Sequence, residues 1–283
     1  MDVRHLADAE QALAVVSEPL RFAGAEGELS FGILRRLIGE PDAYGDEATI
    51  LIGMRSGSPA ALVTLTGPRP ALIVGFADVA DVGFADLVAA MLETGRRPLG
   101  VNGARRWSEP FVWAWHDLAG ATPEVYRDMH AFELRTVRPP RLPAGRFRPA
   151  AASEAGALAR WFVAFGDDIR ELITPTEAAR RVALLIEGGD LAVWEADGRA
   201  VSMAAVSRRT PWSSSIGFVY TPPELRGRGY AGAVTAALSQ RELDAGQAWC
   251  SLFTDQANAT SNHIYADIGY EPKSEFRHFT LGW

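Results

Sequence analysis

The residues best suited to chemistry lie within residues 213–237, SSSIGFVYTPPELRGRGYAGAVTAA, where an apolar strand pattern meets two prolines, a Gly/Arg loop and then a helix pattern. That order builds a place for a phosphate. The first turn of a helix carries unpaired N–H groups and the positive end of the helix dipole, and glycines let an anion reach that backbone without a Cβ in the way. Arg226 and Arg228 add charge, and a charge-assisted hydrogen bond is worth about 1.5–3 kcal/mol. Residues 227–232, GRGYAG, match the dinucleotide fingerprint G-x-G-x-x-G, which needs its first glycine directly off the strand. Here TPPELR intervenes after Tyr220. The same loop also reads as R-x-x-G-x-A over residues 226–231, and the plain structural reading is a glycine-bearing turn into a helix.

A second segment is DQANATSNHIYADIGY, residues 255–270. As structure it is a short helix: Asn258 is a good N-cap, Ile264 and Ile268 lie four apart on one face, and Gly269 suits a left-handed C-terminal cap. Its chemistry is in Tyr265. When an amine attacks an acyl thioester the leaving group is a thiolate of thiol pKa near ~8.5, and a tyrosine of pKa near ~10, itself un-ionised at neutral pH, can protonate or hydrogen-bond it.

Taken together, the R-x-x-G-x-A loop and the N-x-x-S-x-x-x-Y-x-x-x-G-Y pattern of Asn258, Ser261, Tyr265, Gly269 and Tyr270 resemble the GNAT superfamily of acyl-CoA-dependent N-acetyltransferases, over about residues 145–283. The resemblance implies acetyl-CoA as co-substrate. It assigns the backbone of Val219, Tyr220 and Thr221 to the pantetheine arm and the thioester carbonyl. Arg226, Gly227, Arg228, Gly229, Tyr230, Ala231 and Gly232 fall to the pyrophosphate. Asn258 matches the side chain that bonds the pantetheine amide region, Ser261 completes that cofactor motif, and Tyr265 matches the general acid. The departure concerns the base. Many relatives carry a glutamate on a strand flanking the acyl site, whereas this chain has Ser213, Ser214 and Ser215 on one such strand and Ser251, Leu252 and Phe253 on the other. A water chain, Glu224, Asp255 or a residue of the first half remain as sources of the base.

These residues need a scaffold. The chain has 283 residues, 48% of them hydrophobic, enough for two domains with real cores. No apolar run reaches the ~18 residues of a membrane span, and the start MDVRHLADAEQ has no signal-peptide core, so a cytoplasmic protein without a membrane partner is expected. One cysteine, Cys250, excludes an internal disulfide, and the histidines lack metal-ligand spacing. A net charge of −7 without a basic run argues against nucleic acid. Positive potential must then be local, as at Arg226 and Arg228.

Residues 1–45 read as helix followed by loop. From Ala48, ATILIGM, AALVTLT and ALIVGF suggest an antiparallel meander, followed by a helix (FADLVAAMLETG), a strand (LGVNG), an aromatic-rich helix (EPFVWAWHDLAG) and a strand (DMHAFELRTV). Trp107, Trp113 and Trp115 read as core. Prolines make residues 139–145 a linker. A helix capped by Ser153, one capped by Thr174 or Thr176, the Asp197-Gly198 hairpin and then the same element order follow. Asp167, Asp168 and Glu171 could hold an amine, though solvated loop charge is the plainer account.

The expectation is an α/β fold of mixed sheets in two tandem units, residues 1–138 degenerate and 146–283 catalytic. The loop after ALIVGF carries Asp78, Asp81 and Asp86 and no basic residue, so cofactor should bind the second unit alone, with the first serving as support and acceptor lining. The function expected is transfer of an acetyl group to a primary amine of a small molecule or peptide, with dimerisation open. The alternatives are an acyl-CoA-binding sensor or inactive pseudo-enzyme and, third, a nucleotide-dependent oxidoreductase.

Overall fold

A computed structural model describes residues 1–45 and 48–283. The elements are β1 (Asp2–Leu6), α1 (Ala9–Phe22), α2 (Ala25–Gly39), β2 (Thr49–Arg55), β3 (Ser58–Leu65), β4 (Ala71–Gly75), α3 (Phe84–Glu93), β5 (Gly100–Ala104), α4 (Arg105–Ala119) and β6 (Thr122–Leu134). The same order then recurs as β7 (Arg146–Pro149), α5 (Ala155–Asp168), α6 (Pro175–Glu187), β8 (Leu191–Ala196), β9 (Arg199–Arg209), β10 (Ser213–Tyr220), α7 (Tyr230–Asp244), β11 (Trp249–Asp255), α8 (Ala259–Asp267) and β12 (Glu271–Gly282). The chain divides into two compact units, residues 1–131 with 254–257 and 272–283, and residues 132–253 with 258–271.

The first unit holds the strand order β1-β2-β3-β4-β5-β12-β6. The expected meander is present, with β2, β3 and β4 antiparallel in sequence, and Ser56 and Gly57 both at positive φ in the hairpin between β2 and β3. β4 and β5 are parallel. The opening residues differ from the sequence reading: Asp2–Leu6 is a strand antiparallel to β2, not helix. A short strand with exposed charges suits a sheet edge, and its shortness hid it. The tail strand differs too. Counted above with the second half, it pairs antiparallel with β5, Phe276 opposite Ala104 through Thr280 opposite Gly100. Gly100 permits this, because a Cβ there would meet the Phe279 carbonyl. Trp107 and Trp115 are core residues as expected, whereas Trp113 is exposed.

In the second unit the order is β11-β10-β9-β8-β7. Asp197 and Gly198, both at positive φ, turn the β8–β9 hairpin. Helices cover both faces, so the strands are apolar on both sides. Leu191, Val193 and Met203 pack with Leu158 and Phe162 of α5 and Val182 of α6. Alternating with them, Ala192, Trp194 and Ala204 pack with Val234 and Leu238 of α7 and Ile268 near α8. Thr174 caps α6, accepting the Glu177 N–H at 3.2 Å, with Pro175 in the first helical position. Ser153 does not cap α5. The chain makes a 3-10 turn there, held by Glu154, whose carboxylate takes the Ala151 N–H at 2.9 Å and Arg148 at 2.7 and 2.8 Å. Among the described residues no helix is long and apolar enough to cross a membrane.

One polar cluster ties α7 to the sheet. Glu242, 3% exposed, takes both arms of Arg209 at 2.9 and 3.0 Å, the Ser214 hydroxyl at 2.8 Å and Arg241 at 2.9 Å. Burial pushes its carboxyl up, but the hydrogen bonds from Arg209, Ser214 and Arg241 outweigh that and leave it below the ordinary value. Glu242→Gln should therefore cost about 2 kcal/mol by denaturant melt at pH 7. Because the folded pKa is depressed, the charged form's contribution is full above the unfolded value and vanishes as pH falls through the folded one. The gap between variant and wild type should close on acidification; a gap constant from pH 7 to 3 would remove the carboxylate from this account.

Candidate active site

The site begins where β10 leaves its neighbours. Its parallel pairing with β11 covers Ser213, Ser214 and Ser215 opposite Trp249, Cys250 and Ser251. β10 nevertheless runs on to Tyr220, still antiparallel to β9. In that antiparallel ladder Gly217 faces Ala205 and Tyr220 faces Met203, so Phe218 and Val219 together stand opposite one residue, a β-bulge. Phe218 has φ 52°, a backbone state that a bulky side chain enters only under strong packing. The packing is its ring against Phe162 at 4.4 Å and Phe165 at 5.7 Å, with the Arg181 guanidinium 4.7 Å from the ring centre. The bulge leaves Val219 without a register partner on β9, at a point where β11 has stopped pairing.

The carbonyls that follow are committed. Ser202 Oγ donates to the Tyr220 carbonyl at 3.1 Å and shares a 2.8 Å hydrogen bond with Thr221 Oγ1. Arg226 Nε donates to the Thr221 carbonyl at 2.9 Å. Of the three strand-end residues singled out by the sequence, Val219 thus lies in the bulge, while Tyr220 and Thr221 have their carbonyls bonded and shape the exit.

The two arginines separate. Arg226 also pairs with Asp168 at 2.6 Å, and its guanidinium lies 5.7 Å from the Tyr220 ring centre. It braces the loop against α5. Asp168 correspondingly belongs to this brace, which accounts for one of the acidic residues the sequence left open. Burial raises the Tyr220 hydroxyl pKa, as do the Asp168 and Glu224 carboxylates, against Arg226. Arg228 makes one long contact, to the Glu224 carbonyl at 3.4 Å, and otherwise extends into solvent. It is the cation better placed to meet an anion.

Gly227 (φ 75°) and Gly229 (φ 80°) both adopt the left-handed backbone, and Gly229 is the N-cap of α7 with no side chain capping it. The opening N–H groups of Tyr230, Ala231 and Gly232 therefore point out of the helix unbonded by any capping side chain. A Cβ at Gly227 would meet nothing within 4 Å, and one at Gly229 only Pro143 at 3.9 Å. The loop is an open cradle of N–H donors. It fits the diphosphate of a CoA ester, as the gap past Ser215 fits an extended amide-bearing chain.

α8 closes the site. Gly232 sits close enough that its Cβ would be 3.5 Å from Ile264. Asn258 caps α8 through Oδ1, which accepts the Ser261 N–H at 3.0 Å, and its exposed amide NH2 remains free to donate. Tyr265 is 9% exposed, packed among the α7 core residues, with its ring 6.0 Å from that of Tyr270. Burial pushes its hydroxyl up to about 12, countered in part by a hydrogen bond with Ser261. Tyr270, which sequence reasoning placed only as motif, anchors the helix end by a 2.8 Å hydrogen bond to Ser239. The sequence missed Phe218 and Ser202; Gly217 inside a strand pattern was the available sign of a bulge.

Comparison with known proteins agrees with this geometry. The family model described as FR47-like protein matches residues 196–278, which hold the gap, the loop and α8. A GCN5-related N-acetyltransferase from Sphaerobacter thermophilus superposes with a TM-score of 0.64 at 19% identity, covering 98% of this chain and 94% of that one. A GNAT-family acetyltransferase from Colwellia psychrerythraea gives 0.63 at 12% identity with both chains covered completely. A tandem GNAT protein from the clavulanic acid biosynthesis pathway gives 0.57 at 13%, covering 99% and 97%. At such identities these likenesses establish the fold, an α/β tandem of GNAT-like units. No curated protein matches the sequence significantly.

Gly227→Ala and Gly229→Ala should each lower stability by about 1–2 kcal/mol through the left-handed backbone, without a clash, and weaken acyl-CoA binding by about tenfold or more. Calorimetry on the folded variants decides it. Unchanged affinity in both would remove the loop from the site.

Proposed function

We propose that the second unit, whose residues 196–278 match the FR47-like family model, is an N-acetyltransferase that passes an acetyl group from acetyl-CoA to a primary amine by direct attack. The observation that carries this reading is the parting of β10 from β11 after Ser215 together with the start of α7, whose first N–H groups no side chain caps. When bound, acetyl-CoA supplies an acyl group activated as a thioester. In this proposal Val219 offers its backbone to the acyl end, Gly227, Gly229, Tyr230, Ala231 and Gly232 hold the diphosphate with Arg228, and Asn258 donates from its free amide. Arg226, Tyr220 and Thr221 fix the loop and strand end in place, and Ser261 orients the Tyr265 hydroxyl.

Tyr265 holds its proton toward the leaving sulfur. A hydroxyl with its pKa near 12 is neutral at every working pH, so it is a permanent donor: its hydrogen bond strengthens as thiolate charge develops, while complete transfer to a sulfur of thiol pKa near ~8.5 stays uphill and the thiolate takes its proton from water. β10 carries no carboxylate, β11 carries Asp255 at its very end, where Oδ1 accepts the Ala257 N–H at 2.8 Å, and Glu242, which contacts Ser214, is engaged by arginines. That last fact favours the second reading, a CoA-binding sensor. Release of free thiol from acetyl-CoA in the presence of a panel of primary amines separates the two: amine-dependent release supports the transferase, binding without release the sensor.

Tyr265→Phe should lower kcat by about one to three powers of ten with little change in acetyl-CoA affinity, since only the hydroxyl at the sulfur is lost. In wild type, no alkaline limb from Tyr265 should be seen below pH about 10. Equal kcat in the variant would assign Tyr265 to packing alone. Burial of the neutral phenol also makes its contribution to stability full below the unfolded pKa and lost as pH rises through about 12.

A further inference from the structure

The first unit has a cleft of about 750 Å³ that the proposed reaction does not use. It lies at the carboxyl end of β4, the strand parallel to β5, and takes in the loop from Phe76 to Val79, part of α1, the start of β3 and the start of α4. Ligands of open α/β sheets collect at such ends. By element order this is the counterpart of the gap beside β10, yet it is built differently. A Cβ at Gly75 would lie 2.6 Å from the Trp107 ring, so the indole rests directly on the strand end. Trp107 is 3% exposed and its Nε1 donates to Glu26 at 3.1 Å. That face of the strand end is covered by a fixed ring, and the cleft is the space left around it.

Charge on the lining is inverted relative to the α7 loop. Of the three aspartates after β4, Asp81 is paired with Arg55 at 2.8 Å and Asp86 with the amino terminus at 2.5 Å. Asp78 lines the cleft without an ion partner among the described residues, as does Glu18 of α1. The lining cation, Arg106, is held by Glu26 at 2.8 Å and lies 5.0 Å from the Trp107 ring centre. Two carboxylates are left facing a space with an apolar rim, where Phe22 is 80% exposed. The volume falls in the range of small-molecule sites, about 300–1,000 Å³.

We propose that this cleft binds a small organic cation, an amine carrying an apolar or aromatic body, and that it excludes phosphorylated cofactors. Ammonium pairs with Glu18 and Asp78 while the body lies on the Phe22 side, and a diphosphate would meet the same carboxylates with the wrong sign. The proposal stands apart from acyl transfer in the second unit.

Calorimetry on the full chain with phenethylamine and its anionic analogue phenylacetate tests it, comparing wild type with E18Q/D78N. Wild type should bind phenethylamine saturably, the double substitution should weaken it by at least about tenfold, and phenylacetate should give no saturable heat. Acetyl-CoA affinity should be equal in the two proteins, which keeps this result separate from the acyl-transfer reading. Unchanged phenethylamine affinity in E18Q/D78N, absence of saturable binding to wild type, equal binding of phenylacetate, or a joint loss of amine and acetyl-CoA binding would each overturn the assignment.

Discussion

Backbone that leaves a sheet before its strand has ended must find other partners or stay open for a ligand, and that constraint governs the second unit. β10 stops pairing with β11 after Ser215 but continues for five more residues on β9. Everything near the site answers to this early parting. The bulge at Phe218 re-aims the strand, Ser202 and Arg226 absorb the carbonyls of Tyr220 and Thr221, and the chain descends through Pro222 and Pro223 into a helix whose first N–H groups are uncapped. Arg226 is spent in bracing rather than in binding, which leaves the dipole of α7 and Arg228 as the positive field. Aromatic packing of α5 on Phe218 fixes the strained residue, so the face away from the cradle sets the geometry of the cradle.

What the sequence made legible was local chemistry. The left-handed Gly269, the Asn258 and Thr174 caps and the Asp197-Gly198 hairpin are decided by residues within one turn of each other, and all appear where their types require them. Periodicity likewise found the strands of the meander. Illegible were the matters settled by distant residues. Nothing in ELRGR tells which arginine finds a carboxylate 58 positions away, nor does RHFTL announce that its partner is β5. A strand has the same period in whichever sheet accepts it. Ser153 was misread for a related reason: its cap role was taken over by Glu154, drawn in by Arg148 on a separate strand.

The two units show one scaffold put to opposite uses. Both place a parallel pair next to a helix at the same point in the order. In the second unit Gly227 and Gly229 leave open space where a Cβ would meet little. In the first, Gly75 yields its space to Trp107, and Glu26, buried and pushed up in pKa by that burial against the pull of Arg106 and Trp107, pins the indole.

The place of β12 has a consequence for biosynthesis. Its neighbour β5 is made some 170 residues earlier, yet the two lie side by side in the first unit. At ribosomal speeds of about 5–20 residues per second, β5 waits roughly ten to thirty seconds with one edge unpaired while the rest of the chain is translated. An open edge is a template for misassembly with other nascent chains. The usual order, in which an amino-terminal domain finishes folding before its successor is complete, is reversed: the first unit is the last to be closed.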